Sequence, residues 1–189
     1  MIAATKNQLR KKLRAERCLV DSYQRTLFAI EASKHFNASP LFQQSKKIAC
    51  YFASKEEFDV DPIIELILSA NKQCYVPILV EKNLQFVRYH KNDLLQPNSY
   101  KILEPVNKNE KIEPDQLDLI LMPLIGFDFK GHRLGTGGGF YDRTLSPRPI
   151  CKLIGVGFEI QHVETLPFDE WDVLLDGVLT EKGLALFGI

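Results

Sequence analysis

The stretch LDLILMP, residues 117–123, decides how this chain folds. Its apolar residues run almost unbroken instead of alternating with polar ones, the pattern of a central strand covered on both faces. KLIGVGF (152–158) repeats the pattern and DVLLDGVLT (172–180) supplies a third case. Upstream, KKIACYF (46–52), QCYVPILV (73–80) and LQFVRYH (84–90) also read as strands. Helical signals fall between and before them. Residues 61–70 open with Asp61 and Pro62, an N-cap followed by proline at the first helical position. Asp21 or Ser22 caps an earlier helix whose apolar side is Tyr23, Leu27 and Ile30, and Asn37 to Pro40 ends it. Residues 3–19 form a first helix with Leu9 and Leu13 on a sparse apolar side. Lys91 to Pro114 is polar and proline-punctuated, and reads as a long excursion over the surface. The alternation predicts a single-domain α/β layered fold over residues 1–189, with a central, largely parallel sheet flanked by helices.

The 189 residues suffice for one domain, which should bury roughly 70% of its unfolded surface. Net charge is zero, but residues 1–25 hold seven Lys or Arg against two acids, and the rest of the chain is acidic in compensation. A basic front on a neutral protein points to a local anion site; coating nucleic acid would want a more basic chain. Cys18, Cys50, Cys74 and Cys151 form no CxxC pair and read as thiols in a reducing compartment. The first residues lack the apolar run of a signal peptide. The most apolar stretch, 117–127, contains Asp118 and falls short of the ~18 residues a membrane span needs. The expectation is a soluble cytoplasmic protein with no membrane partner.

Immediately after the decisive strand comes GFDFKGHRLGTGGGFYDR, residues 126–143. Five of the chain's 11 glycines fall between Gly131 and Gly139. Each would cost a helix about 0.8–1.0 kcal/mol relative to alanine, so this is a loop. Its glycines let the backbone bend sharply and approach a ligand closely. A helix starting near Gly139 or Phe140 would aim its free amides at the loop, an arrangement that holds phosphate. Arg133 adds a planar fork suited to phosphate oxygens, and Asp142 an acid suited to magnesium. No GK[ST] follows, so this is not a Walker A loop. The dinucleotide fingerprint would need glycine where Phe140 stands. Taken alone, a GxGGG run is equally a structural turn.

The segment resembles the signature of the 5-formyltetrahydrofolate cyclo-ligases, approximately F-D-x-x-G-x-R-L-G-x-G-x-G-[YF]-Y-D. Phe127, Asp128, Gly131, Arg133, Leu134, Gly135, Gly137, Gly139, Phe140, Tyr141 and Asp142 match it. The resemblance extends over nearly the whole chain in order. Lys6 and Arg10 match an opening K-x-x-x-R; Glu57 matches a glutamate beyond an early strand; Glu104 and Pro105 match an E-P pair. Gln161, Leu166, Pro167, Asp172, Thr180 and Glu181 match the C-terminal pattern. Val60 stands where threonine is usual, Lys101 where glycine is common, and Trp171 where many members have histidine.

The resemblance implies an enzyme that uses ATP and magnesium to convert 5-formyltetrahydrofolate into 5,10-methenyltetrahydrofolate, ADP and phosphate. It implies Arg133 and Tyr141 as catalytic residues. ATP would contact Lys6, Arg10, Arg133, Leu134, Gly135, Thr136, Gly137, Gly138, Gly139, Phe140 and Tyr141. The folate, with or without a polyglutamate tail, would contact Phe52 and Glu57, and Thr136 to Phe140 would touch both ligands. Asp142 and Asp172 would hold Mg2+. The resemblance implies that no side chain forms a covalent intermediate, and the protein is expected as a monomer.

Without the resemblance each residue has a plainer reading. Lys6, Arg10 and Arg14 stack on one face and could be solvated. Glu57 sits in the charged run KEEFD, and Asp142 could be a first-turn acid favoured by the helix dipole. Tyr141 and Trp171 would be pocket wall. His35, His90, His132 and His162 are too scattered to gather a metal. A nucleotide-binding regulator on the same scaffold, without ring closure, is the alternative function. A nucleic-acid module is a third reading, which the lack of aromatic residues in 3–19 opposes.

Overall fold

The computed structural model describes residues 5–188. Three helices come first: α1 (Lys6–Arg17), α2 (Ser22–Ala38) and α3 (Pro40–Gln44). Then follow β1 (Lys47–Ala49), α4 (Asp61–Ser69), β2 (Gln73–Val80) and β3 (Asn83–Tyr89). The polar excursion carries the short strands β4 (Leu95–Pro97), β5 (Leu103–Pro105) and β6 (Lys111–Ile112). Beyond it lie β7 (Leu119–Pro123), β8 (Gly126–Phe127), β9 (Arg133–Leu134), α5 (Phe140–Thr144), β10 (Lys152–Val156), β11 (Gly177–Thr180) and β12 (Gly183–Leu186).

Eight strands make one sheet in the order β12-β11-β10-β7-β1-β2-β3-β6. The middle five, β11 to β2, run parallel to one another, while β12 on one side and β3 with β6 on the other join by antiparallel pairing. The α/β layered fold with a largely parallel sheet is therefore present. Strand β7 shows why its sequence lacks alternation. Leu119 and Leu121 enter the core beneath α2, α3 and α4, while Ile120 and Met122 enter the core on the opposite face. All four are fully buried. Burying each such side chain contributes about 1.5–3 kcal/mol.

Two helix readings need correction. On α2 the buried residues are Ala29, Ala32 and Phe36, whereas Tyr23, Leu27 and Ile30 are exposed. Small alanines let α2 lie close to α4 and the sheet, and Phe36 packs on Phe42 with ring centroids 5.0 Å apart. Larger apolar residues on the other side lost that competition. On α4 the N-cap is Val60, with Asp61 and Pro62 already inside the helix. The carboxylate that meets an exposed amide there belongs to Asp59, which accepts the Asp61 N–H at 3.0 Å.

Strand bounds also contract. β1 stops at Ala49 because the chain leaves the sheet after Cys50, and β11 begins only at Gly177. Of the first helix, positions 3 and 4 lie outside the described residues. The described part ends at Arg17 and is capped by a Thr5–Gln8 box. Among the described residues no helix is long and apolar enough to cross a membrane. Cys50, Cys74 and Cys151 are buried, Cys18 is exposed, and all four are free thiols.

Candidate functional site

The connections after β1 and β7 lead to opposite sides of the sheet, to β2 and to β10. Neighbouring parallel strands that part in this way open a crevice beyond their carboxyl ends. A cleft of about 1190 Å³ lies there, with Tyr51 and Phe52 from beyond β1 facing Pro123 and Leu124 from the end of β7.

One wall is the glycine segment. Its first part is scaffold. Asp128, fully buried, accepts hydrogen bonds from the N–H groups of Lys130, His132 and Leu166, and pairs with His132 Nδ1 at 2.9 Å. Burial pushes its carboxyl up, but these donors more than offset it and hold the pKa below the usual aspartate value. A Cβ on Gly126 would lie 2.6 Å from Leu13 Cδ1. That notch seats α1, whose Leu9 and Leu13 pack on Ile125, Leu134 and Leu166. Gln161, also buried, donates to the carbonyls of Leu124 and Ile125 and fixes the turn between β7 and β8.

The second part lines the cleft. Gly137 has φ +105° and Gly139 φ +64°, conformations that L side chains rarely adopt. Gly139 is the N-cap of α5, so the helix starts where the sequence places it. With α1 seated, Arg10 lies across this loop, its Nε donating to Gly135 O at 2.8 Å. Lys6 reaches Asp169 at 2.7 Å and Asp172 at 2.5 Å. Burial lowers the Lys6 pKa, but the two carboxylates outweigh it and hold it above the ordinary lysine value. Arg14, the third base on that face, is exposed and does not line the cleft.

Arg133 is the most enclosed cation here, its side chain 4% exposed. It pairs with Asp142 at 2.8 Å and stacks over Tyr141 with 5.4 Å to the ring centroid. Its Nε is buried without a hydrogen-bond partner. Burial pushes the Tyr141 hydroxyl far above its usual pKa, so it stays a phenol and can only donate or accept a hydrogen bond. Among the described residues no three His, Cys, Asp or Glu gather as a ready metal site. Asp142 and Asp172 each spend one carboxylate oxygen, Oδ1 and Oδ2 respectively, on the contacts to Arg133 and Val173 or to Lys6 and Asp169. Two hard oxygen donors facing a cleft suit a Mg2+ ion whose other ligands are water and phosphate.

The opposite wall is assembled from distant segments. Phe52 sits edge-on to Tyr89 at 5.1 Å. Glu57 closes a tight turn, its Oε2 accepting the Ser54 N–H at 2.8 Å. Asn98, Tyr100, Ile102 and Glu104 of the excursion also line the cleft, and Tyr100 meets Phe140 edge-on at 5.8 Å. The excursion is thus part of the site as well as surface. Glu104, 4% exposed, accepts from Leu79 N–H, Asn98 Nδ2 and Lys108 Nζ. Lys101 holds φ +62°, which explains why glycine suits that position better. The two walls meet where α5 grips the β2–β3 hairpin: Leu84 N–H donates to Thr144 Oγ1, and Arg143 donates to Lys82 O.

Phe52, Glu57, Lys6, Arg10, Asp172 and every residue from Arg133 to Asp142 line this one cleft. The sequence reading missed Asp169 and the Asn98–Glu104 wall. The length of the excursion was the available signal, since long loops in compact domains usually bind something. His132 stays outside, stacked on Phe168 at 4.1 Å. Thr180 and Glu181 make a structural clip with Glu159.

Residues 2–181 match the model of the 5-formyltetrahydrofolate cyclo-ligase family. The chain is 34% identical over 180 residues to a 5-formyltetrahydrofolate cyclo-ligase of Haemophilus influenzae, covering 92% of this chain and 96% of that one. It is 36% identical over 156 residues to that of Escherichia coli, covering 79% and 86% respectively. The NMR structure of the Aquifex aeolicus 5,10-methenyltetrahydrofolate synthetase superposes with TM-score 0.86 at 32% identity, over 97% of this chain and 93% of that one.

Proposed function

The chain belongs to the 5-formyltetrahydrofolate cyclo-ligase family, and from that premise we propose that it closes the one-carbon bridge of 5-formyltetrahydrofolate at the expense of ATP, with Mg2+, yielding 5,10-methenyltetrahydrofolate, ADP and phosphate. The observation that carries the reading is the pairing of walls: a cationic glycine loop faces a glutamate-bearing apolar wall across one cleft.

The chemical obstacle is a poor electrophile. The N5-formyl group is an amide, and N10 does not expel its oxygen unaided. Transfer of the γ-phosphoryl group to that oxygen makes it a leaving group. N10 then attacks the formyl carbon, loses its proton, and the C–O bond breaks to release phosphate. Stabilising such a transfer is mostly positioning and charge compensation.

In this proposal Arg10, Arg133 and the backbone of Gly135 to Gly139 hold the phosphates, with Lys6 released from Asp169 and Asp172 to join them. Leu134, Thr136 and Phe140 flank the same ligand. Arg133 neutralises charge on the transferring group, and Tyr141, held protonated, supports the Arg133 fork. Asp142 and Asp172 would hold the Mg2+ that accompanies the nucleotide and offsets its charge. Glu57 keeps Oε1 for ring donors of the folate, and Phe52 packs on the pterin side. One continuous eight-stranded sheet supports reading the chain as one domain.

The test is turnover. Purified protein should produce the near-ultraviolet absorbance of the methenyl product only when 5-formyltetrahydrofolate, ATP and Mg2+ are all present. Folded protein that binds nucleotide but gives no product would instead indicate the regulatory protein.

A further inference from the structure

Two arginines behind the cleft are used by nothing described so far. Arg25, near the start of α2, spreads one guanidinium over two parts of the chain. Nη2 donates to Arg17 O at 2.7 Å and Nε to Val20 O at 2.9 Å, which satisfies the last carbonyl of α1 and one in the turn to α2. Nη1 turns the other way, toward Glu56 O at 3.3 Å and Glu57 O at 3.5 Å. The plane is braced by Phe158, with 5.0 Å to its ring centroid. Arg17 lies beside it, 3% exposed, and reaches Glu56 Oε2 at 3.3 Å.

A helix cap alone would explain only the contacts to Arg17 and Val20. It leaves the reach to Glu56 and Glu57 unaccounted for. Among the described residues the other hydrogen bonds of this turn close it on itself, Glu57 N–H to Ser54 O at 3.0 Å and Ser54 N–H to Glu57 Oε2, while the next residue, Phe58, packs on Phe158 and accepts from the Tyr51 hydroxyl. Beyond it the chain descends into α4. Arg25, from α2, and Arg17, from α1, tie this turn to the end of α1, the helix that carries Lys6 and Arg10 to the glycine wall. One guanidinium therefore bridges the end of the base-bearing helix and the turn that carries the glutamate across the cleft.

We propose that Arg25 is a positioning residue for Glu57, registering the folate wall against the helix that serves the nucleotide wall. The inference rests on the reading that Glu57 holds the folate. Loss of the clamp lets the Glu57 turn drift while leaving the glycine wall seated by Leu13. It follows that damage appears in folate binding and spares ATP.

Steady-state kinetics on the intact enzyme separate the possibilities. Arg25→Ala should raise KM for 5-formyltetrahydrofolate about tenfold, since small misplacements of binding groups are costly. KM for ATP and kcat should change by no more than about twofold, an expectation that follows from sparing the other wall. Arg25→Lys keeps the charge and stem but cannot bridge both carbonyl pairs; it should fold and show a smaller rise of the same kind. In Glu57→Gln, folate KM should rise, and adding Arg25→Ala should then raise it little further, because residues acting through one contact are not additive. If Arg25→Ala does not fold, Arg25→Lys carries the same comparison. A Glu57→Gln enzyme with unaltered folate KM overturns the role of Glu57 and the inference with it. A normal rise in Glu57→Gln overturns the inference alone if the Arg25 variants leave folate KM unchanged, raise both KM values equally, or combine additively with Glu57→Gln.

Discussion

The two walls of the cleft are built by different physics. The glycine wall is one contiguous run, and its shape comes from local backbone conformation, above all the positive φ at Gly137 and Gly139. The facing wall is stitched from Phe52–Glu57, the start of β3 and Asn98–Glu104, and distant polar joints hold it: Arg25 on the Glu57 turn and Glu104 between Leu79, Asn98 and Lys108. A contiguous wall puts its chemistry in its own side chains. An assembled wall depends as much on residues that never touch a ligand.

That contrast can be broken most sharply at Arg133. Arg133→Ala removes the enclosed cation of the contiguous wall and should lower kcat/KM for ATP by about 10²–10³-fold, the usual range for a lost group that stabilises developing charge. Far-ultraviolet circular dichroism should be unchanged, because Asp142 keeps partial exposure and the Val173 N–H. An unaltered ATP dependence would remove Arg133 from the site and with it the distinction between the walls.

A smaller effect is expected at the joint of the assembled wall. Glu104→Gln keeps the shape but removes the charge, and should cost about 1–2 kcal/mol of stability at neutral pH, with a few-fold rise in folate KM. Burial pushes the Glu104 carboxyl up, but the Leu79 N–H, Lys108 and Asn98 outweigh it and hold its folded pKa below the ordinary glutamate value. The charged form is therefore favoured by folding. Its stabilisation is complete above the unfolded pKa of about 4.3 and fades as pH falls through the lower folded value. Urea unfolding should show the gap between native and variant protein narrowing below about pH 4.5, toward that lower value. A constant gap would mean that the charge is not what joins the wall.

The same contrast explains what could be read in advance. The central strands were legible because β7 buries both faces, and unbroken apolar runs have few other causes. The glycine wall was legible because five close-set glycines exclude a helix and bring their cleft-lining neighbours with them. Tyr23, Leu27 and Ile30 misled because α2 packs through alanine, whose small size gives little periodic signal. Tyr100, Ile102 and the joint at Glu104 were not legible as a wall, since what brings them to the cleft is a set of hydrogen bonds between residues far apart in the chain. Arg25 was equally silent: one arginine among many on a helix, until its partners are seen.

The central claim is that the cleft delivers a phosphoryl group to the formyl oxygen. Turnover of 5-formyltetrahydrofolate labelled with heavy oxygen at the formyl group tests it most directly, by mass spectrometry of the inorganic phosphate released. The account predicts that the label appears in phosphate, one heavy atom for each ring closed. Label found in solvent water, with unlabelled phosphate, would contradict it.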